Sequence, residues 1–107
     1  MTNFVLIYTG GMGMSMSEEE QAKVMAEWGA WYGKLGEAVV DGGNPFGASK
    51  QITASGVSDG SASSPSATGY TVISAESLDD AVAKAQDHPH IKHGGEVTIY
   101  ETFQVGG

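Results

Sequence analysis

The sequence predicts an α+β fold, a ferredoxin-like βαββαβ sandwich with an antiparallel sheet, and three observations predict it. A strand, a capped helix and a strand follow one another twice, first over 3–41 and again over 68–101. Only two segments carry helical periodicity, enough to cover one face of a four-stranded sheet. The first strand is nevertheless apolar on both faces, so the second face also needs a cover. A second copy of the chain is the simplest cover, and the sequence therefore predicts a homodimer with its sheets packed face to face.

Asn3 to Tyr8 (NFVLIY) is a continuous apolar run, too short for a helix and bounded by Gly10 and Gly11. Gly10 to Ser15 (GGMGMS) reads as a flexible loop. Ser17 with Glu20 makes a capping box, and Glu18, Glu19 and Glu20 suit the positive end of a helix dipole. Val24, Trp28, Trp31 and Leu35 then recur at steps of four, three and four. Gly29 and Gly33 cost this helix about 1 kcal/mol each relative to Ala, and we read them as points of close backbone approach. Gly36 is the expected C-cap. Ala38 to Asp41 is a short strand, GGNPFG over 42–47 a turn anchored by Phe46, and Ser49 to Val57 a further strand. Ser58 to Ser66 is a Ser-rich surface loop.

Gly69 to Ser74 carries the β-branched and aromatic residues of a strand. Ser77 faces Asp80 in a second capping pattern, and Leu78, Ala81, Val82 and Ala85 form an apolar helical stripe. Pro89 and Gly94-Gly95 are expected to stop that helix and turn the chain. Glu96 to Glu101 is the last strand, with Val97 and Ile99 on one face and Thr98 and Tyr100 on the other.

At 107 residues the chain is read as one domain over 1–107. Its net charge of −8 argues against a nucleic-acid partner and against anionic membrane surfaces. Without cysteine, disulfides, thiolate catalysis and Cys-ligated metals are excluded. No basic leader or membrane-length apolar run is visible, and a cytoplasmic location is expected.

Among residues able to carry chemistry, His88, His90 and His93 stand out. Imidazole serves as metal ligand, general base or proton shuttle. The H-x-H-x-x-H spacing offers three ligands to a metal, but Pro89 breaks regular spacing, and neither metal nor cofactor is predicted. The bland alternative is a polar helix end whose histidines bond the last carbonyls. Asp41 ends a strand before a Gly-rich loop, where it either orients a histidine or bonds its own turn. GGMGMS follows a strand and precedes a helix, yet Met16 stands where a dinucleotide fingerprint needs Gly, and the P-loop Gly-Lys-Ser/Thr is absent. Trp28, Trp31 and Tyr32 could line an apolar ligand cleft, but Trp28 and Trp31 share the inner stripe, which is more often core, and Tyr32 at its margin is the better cleft residue. Met12, Met14 and Met16 alternate in the first loop, over a neighbour or a pocket.

The segments FVLIY, WGAWYGKLG, AVVD-GGNPFG, GYTVISAESLDDAVAKA and GGEVTIYE together resemble the YCII-related (DGPF-domain) family over nearly the whole chain. The resemblance implies a dimeric α+β barrel with a cleft between helices and sheet, and a His–Asp pair suspected in some members, most of which have no assigned function. Asp41, Pro45 and Phe46 carry over, although Gly43 and Asn44 interrupt the family's signature here. Asp41 and one of the three histidines are thus expected in a common cleft beside Tyr32, Asn44, Pro45 and Phe46. Such a cleft implies a small-molecule-binding homodimer. The alternatives are a cofactor-free enzyme that moves a proton on an apolar or aromatic substrate, and a purely structural assembly domain.

Overall fold

Ser17 and Ser77 start the two long helices as their spacing predicts. Each hydroxyl accepts the backbone N–H three residues on, from Glu20 at 3.2 Å and from Asp80 at 3.1 Å. In this computed structural model, which describes residues 1–10, 17–60 and 66–103, the elements are β1 (Thr2–Gly10), α1 (Glu18–Leu35), a 3-10 turn (Gly36–Ala38), β2 (Val39–Asp41), β3 (Lys50–Thr53), β4 (Gly56–Asp59), β5 (Ala67–Ala75), α2 (Leu78–Ala85), α3 (Pro89–Lys92) and β6 (Gly95–Glu101). Four strands form one antiparallel sheet in the order β2-β5-β1-β6, the ferredoxin-like order with the first and third main strands at the centre.

Alternation along the central strands sorts their side chains. Phe4, Leu6 and Tyr8 of β1 and Thr71, Ile73 and Ala75 of β5 are buried on the helix-covered face, where Trp31, Ala81 and Ala85 meet them. Burying Phe4, Leu6 and Ile73 contributes about 1.5–3 kcal/mol each. Val5, Ile7 and Val72 point the other way and remain half-buried, because no helix lies on that face.

Several sequence expectations are corrected. The strand expected over 49–57 is a separate hairpin, β3 paired with β4 from Lys50↔Asp59 to Thr53↔Gly56, with the chain turning at Ala54-Ser55. Ser58 and Asp59 therefore belong to β4 and not to the Ser-rich loop, of which 61–65 lie outside the described residues. Gly29 and Gly33 are exposed, and among the described residues a Cβ on either would meet nothing, so no described backbone of this chain approaches them. Pro89 starts a helix: at its first position the missing N–H costs nothing and the fixed φ is already helical. The Met12, Met14 and Met16 loop lies outside the described residues.

Candidate functional site

The turn between α2 and β6 distributes the three histidines in three directions. His88 is the N-cap of α3, and its Nδ1 accepts the N–H of His90 at 2.9 Å. This local bond drives the His88 ring inward, where it is fully buried against Trp28 and Trp31, with ring centroids 4.4 and 4.3 Å away. His93, the C-cap, turns outward, and its Nε2 lies 3.2 Å from Glu27 on α1. His90 lies between them, and its Nε2–H donates to the Thr9 carbonyl at 2.7 Å. Its ring rests on Gly95, where any side chain would occupy the same space.

The His88 bonds fix a direction for the network beyond it. With Nδ1 accepting, the neutral ring carries its proton on Nε2 and donates to the Tyr8 hydroxyl at 2.9 Å. Tyr8 donates to Thr71 Oγ1 at 2.6 Å, and Thr71 donates to the Gly42 carbonyl at 3.1 Å. Tyr32 also donates to the Gly42 carbonyl, at 2.9 Å. Burial, then the neighbouring His90, pulls the His88 pKa down to about 4, so the ring is neutral near pH 7. Burial likewise pushes the Tyr8 phenol well above its usual value, although the Thr71 bond opposes the shift. Glu27 is held below the usual carboxylate range. Desolvation raises it, but the His93 hydrogen bond and the Lys92 charge together outweigh that.

One end of this network opens into a cleft of about 140 Å³ lined by Tyr8, Trp28, Tyr32, Gly42–Pro45, Thr68–Tyr70 and His90. The far wall is locked to β5: Pro45 bridges Gly69, and the Phe46 N–H donates to the Thr68 carbonyl at 2.8 Å. Gly43, with φ +75°, leaves no room for a Cβ beside the Tyr70 carbonyl. Among the described residues the cleft lining contains no carboxylate. An apolar groove of about 380 Å³ between α2 and β6 is larger, yet its aliphatic lining of Leu78, Val82, Ile91, Val97 and Ile99 offers few groups to orient a ligand.

The predicted residues divide. Tyr32, Asn44, Pro45 and His90 come together in the cleft. Asp41 does not face an imidazole: its Oδ1 accepts from the Gly43 N–H at 2.9 Å and its Oδ2 from the Tyr70 hydroxyl at 3.2 Å. Phe46 stacks on Tyr70 at 5.7 Å on the open sheet face, outside the cleft lining. His88 is buried and His93 meets Glu27, so the carboxylate–histidine contact present joins residues 66 positions apart that the sequence did not pair. Among the described residues no group of three His, Asp or Glu is arranged to hold a metal ion. Tyr8 and Thr71 were missed as site residues, and Trp28, which lines the cleft, was ranked below Tyr32. A phenol on the core face of β1, in step with Phe4 and Leu6, was the available signal, because a buried hydroxyl requires a partner.

No family model and no curated protein matches this chain. A solved structure of 5-chloro-2-hydroxyhydroquinone dehydrochlorinase (TftG) from Burkholderia phenoliruptrix AC1100, in complex with 2,5-dihydroxybenzoquinone, is similar with a TM-score of 0.57 over 96% of this chain and 95% of that one, at 18% identity. The likeness is one of fold, an α+β chain with an antiparallel sheet. Among the described residues no helix is long and apolar enough to cross a membrane.

Proposed function

We propose that this chain is a YCII-like binding protein whose cleft takes one hydroxylated six-membered ring, and that it works as a homodimer in the cytoplasm. The carrying observation is the convergence of Tyr8, Trp28, Tyr32 and His90 on a cavity of about 140 Å³. A cavity near 150 Å³ holds a single benzene ring, well below the roughly 300 Å³ at which drug-sized sites begin. Trp28 and Tyr8 offer aromatic surface, while Tyr32 and His90 supply polar groups at the margin. The ring-shaped ligand of the structurally similar dehydrochlorinase supports the same class. The half-buried Val5, Ile7 and Val72 on the open sheet face support the dimer.

The test is an NMR titration with 2,5-dihydroxybenzoquinone. The chain has two tryptophans, and Trp31 is buried with its indole N–H on the Lys84 carbonyl at 3.2 Å. Binding shifts the Trp28 indole resonance saturably and leaves that of Trp31 in place. No saturable shift at millimolar ligand defeats the proposal.

A second reading, acid–base chemistry on such a ring, is favoured by the His90 tautomer. With Nε2–H on the Thr9 carbonyl, the neutral ring keeps its lone pair on Nδ1. Asp41 has no part in it. The check is deuterium exchange from solvent into the ring C–H positions of the same molecule. His90→Gln abolishes the exchange if this reading holds, and an unchanged exchange rate rejects it.

A further inference from the structure

We propose that the β3–β4 hairpin is an arm that packs onto a second copy of this chain. The inference rests on the homodimer reading above and names the segment that grips the partner.

An isolated two-stranded hairpin is marginal in water at best and needs a neighbour to hold it. β3 and β4 pair only with one another, and no other described element packs extensively on them. Ile52 and Val57 are directly opposite, so their side chains share one face, yet they are 78% and 65% exposed. Lys50 and Asp59, two residues away on the same face, form an ion pair at 2.8 Å. Both are largely exposed, and such a pair contributes little. The arm thus presents an apolar patch with a neutralised flank and no described element packed over it.

The size of the chain points to a second copy as the cover. Its radius of gyration is 15.3 Å, against about 13 Å for a compact domain of this length. Its accessible surface is 7279 Å², against roughly 5,700 Å² for a compact monomer of its mass. The excess is more than the ~800 Å² that each partner contributes to a standard interface. The arm also follows in sequence shortly after a residue seated on the open sheet face. Phe46, four residues before Lys50, stacks on Tyr70 on that face, where Ile7 is the cross-strand partner of Tyr70. Two copies each carrying −8 repel one another, so contact has to run through neutral, apolar surface of this kind.

The experiment compares dimer dissociation constants by sedimentation for the full chain, for Ile52→Ser/Val57→Ser, and for Ile91→Ser, a control on the α2–β6 groove. Far-UV circular dichroism confirms that each variant is folded. The double variant is expected to weaken the dimer at least tenfold and the control less than twofold. Hairpin amides are expected to lose hydrogen-exchange protection when the wild type is diluted below its dissociation constant. A wild-type monomer at all concentrations overturns the dimer reading itself. A wild-type dimer whose constant and hairpin protection are indifferent to Ile52→Ser/Val57→Ser overturns the arm alone.

Discussion

His88 and Tyr8, 80 residues apart in sequence, share a buried hydrogen bond of 2.9 Å between Nε2 and the phenolic oxygen. Because the His90 N–H occupies Nδ1, the imidazole is held as one neutral tautomer, and protonation would break the α3 cap. The histidine is a structural donor at the inner end of a chain that finishes at the cleft wall on the Gly42 carbonyl.

This arrangement ties stability to pH. The folded His88 pKa is about 4, below the unfolded value of 6.5. Below pH 6.5 the unfolded chain therefore takes up a proton that the folded chain does not. Stability is fully present above pH 6.5 and falls as pH drops towards 4, by roughly 2–3 kcal/mol. Glu27, Asp80 and Asp87 have lowered pKa values, so their contributions are lost at or below the usual carboxylate range and leave the upper part of this window to His88. Urea unfolding at pH 7.0, 6.0 and 5.0 should show the decline in the wild type and a flatter profile in His88→Gln.

Gly95→Ala should separate ring placement from stability. Gly95 needs no positive φ, so its backbone accepts Ala, but the methyl would fall inside the His90 ring. The ring must swing away and give up its bond to the Thr9 carbonyl. We expect a loss of about 1 kcal/mol, the net worth of one hydrogen bond. Ring binding in the cleft should weaken at least tenfold. Urea midpoints and the Trp28 indole titration measure the two effects independently.

Gly43→Ala should be far more damaging. Its φ of +75° disfavours any side chain, and the methyl would collide with the Tyr70 carbonyl, which belongs to a central strand and cannot yield. A loss of about 3 kcal/mol or more is expected. Chemical denaturation should place this variant well below Gly95→Ala.

What was legible in the sequence was local. Ser17 and Ser77 announce both long helices through a hydroxyl three residues from an acid, and the continuous apolar run NFVLIY marks β1. Tyr32, Asn44 and Pro45 could be placed near one cleft because strand ends and helix margins meet there. The rest depends on contacts that no spacing encodes. Thr71 receives the Tyr8 hydrogen bond across 63 residues, and the inward turn of His88 goes with its place as the cap of a four-residue helix that Pro89 starts. Of the two readings of Asp41, the bond to its own turn is the one seen, to the Gly43 N–H, whereas its second bond, to the Tyr70 hydroxyl 29 residues on, no local spacing encodes.

The Gly42 carbonyl offers the last prediction, a departure from additivity. It accepts two hydroxyls, Tyr32 at 2.9 Å and Thr71 at 3.1 Å, one for each lone pair. Tyr32→Phe leaves Thr71 in place on the carbonyl and should cost about 0.5–1 kcal/mol. Thr71→Val also removes the acceptor of the buried Tyr8 hydroxyl, so it should cost more, about 1–3 kcal/mol. In the double variant neither hydroxyl remains, and a carbonyl on the cleft wall loses both side-chain donors at once. The double loss should exceed the sum of the single losses by about 1 kcal/mol, because the price of an unpaired carbonyl appears only when the second donor goes. A double-mutant cycle from urea unfolding at pH 7 measures this coupling. Simple additivity within 0.3–0.5 kcal/mol would mean that water replaces both hydroxyls and that the cleft wall does not depend on them.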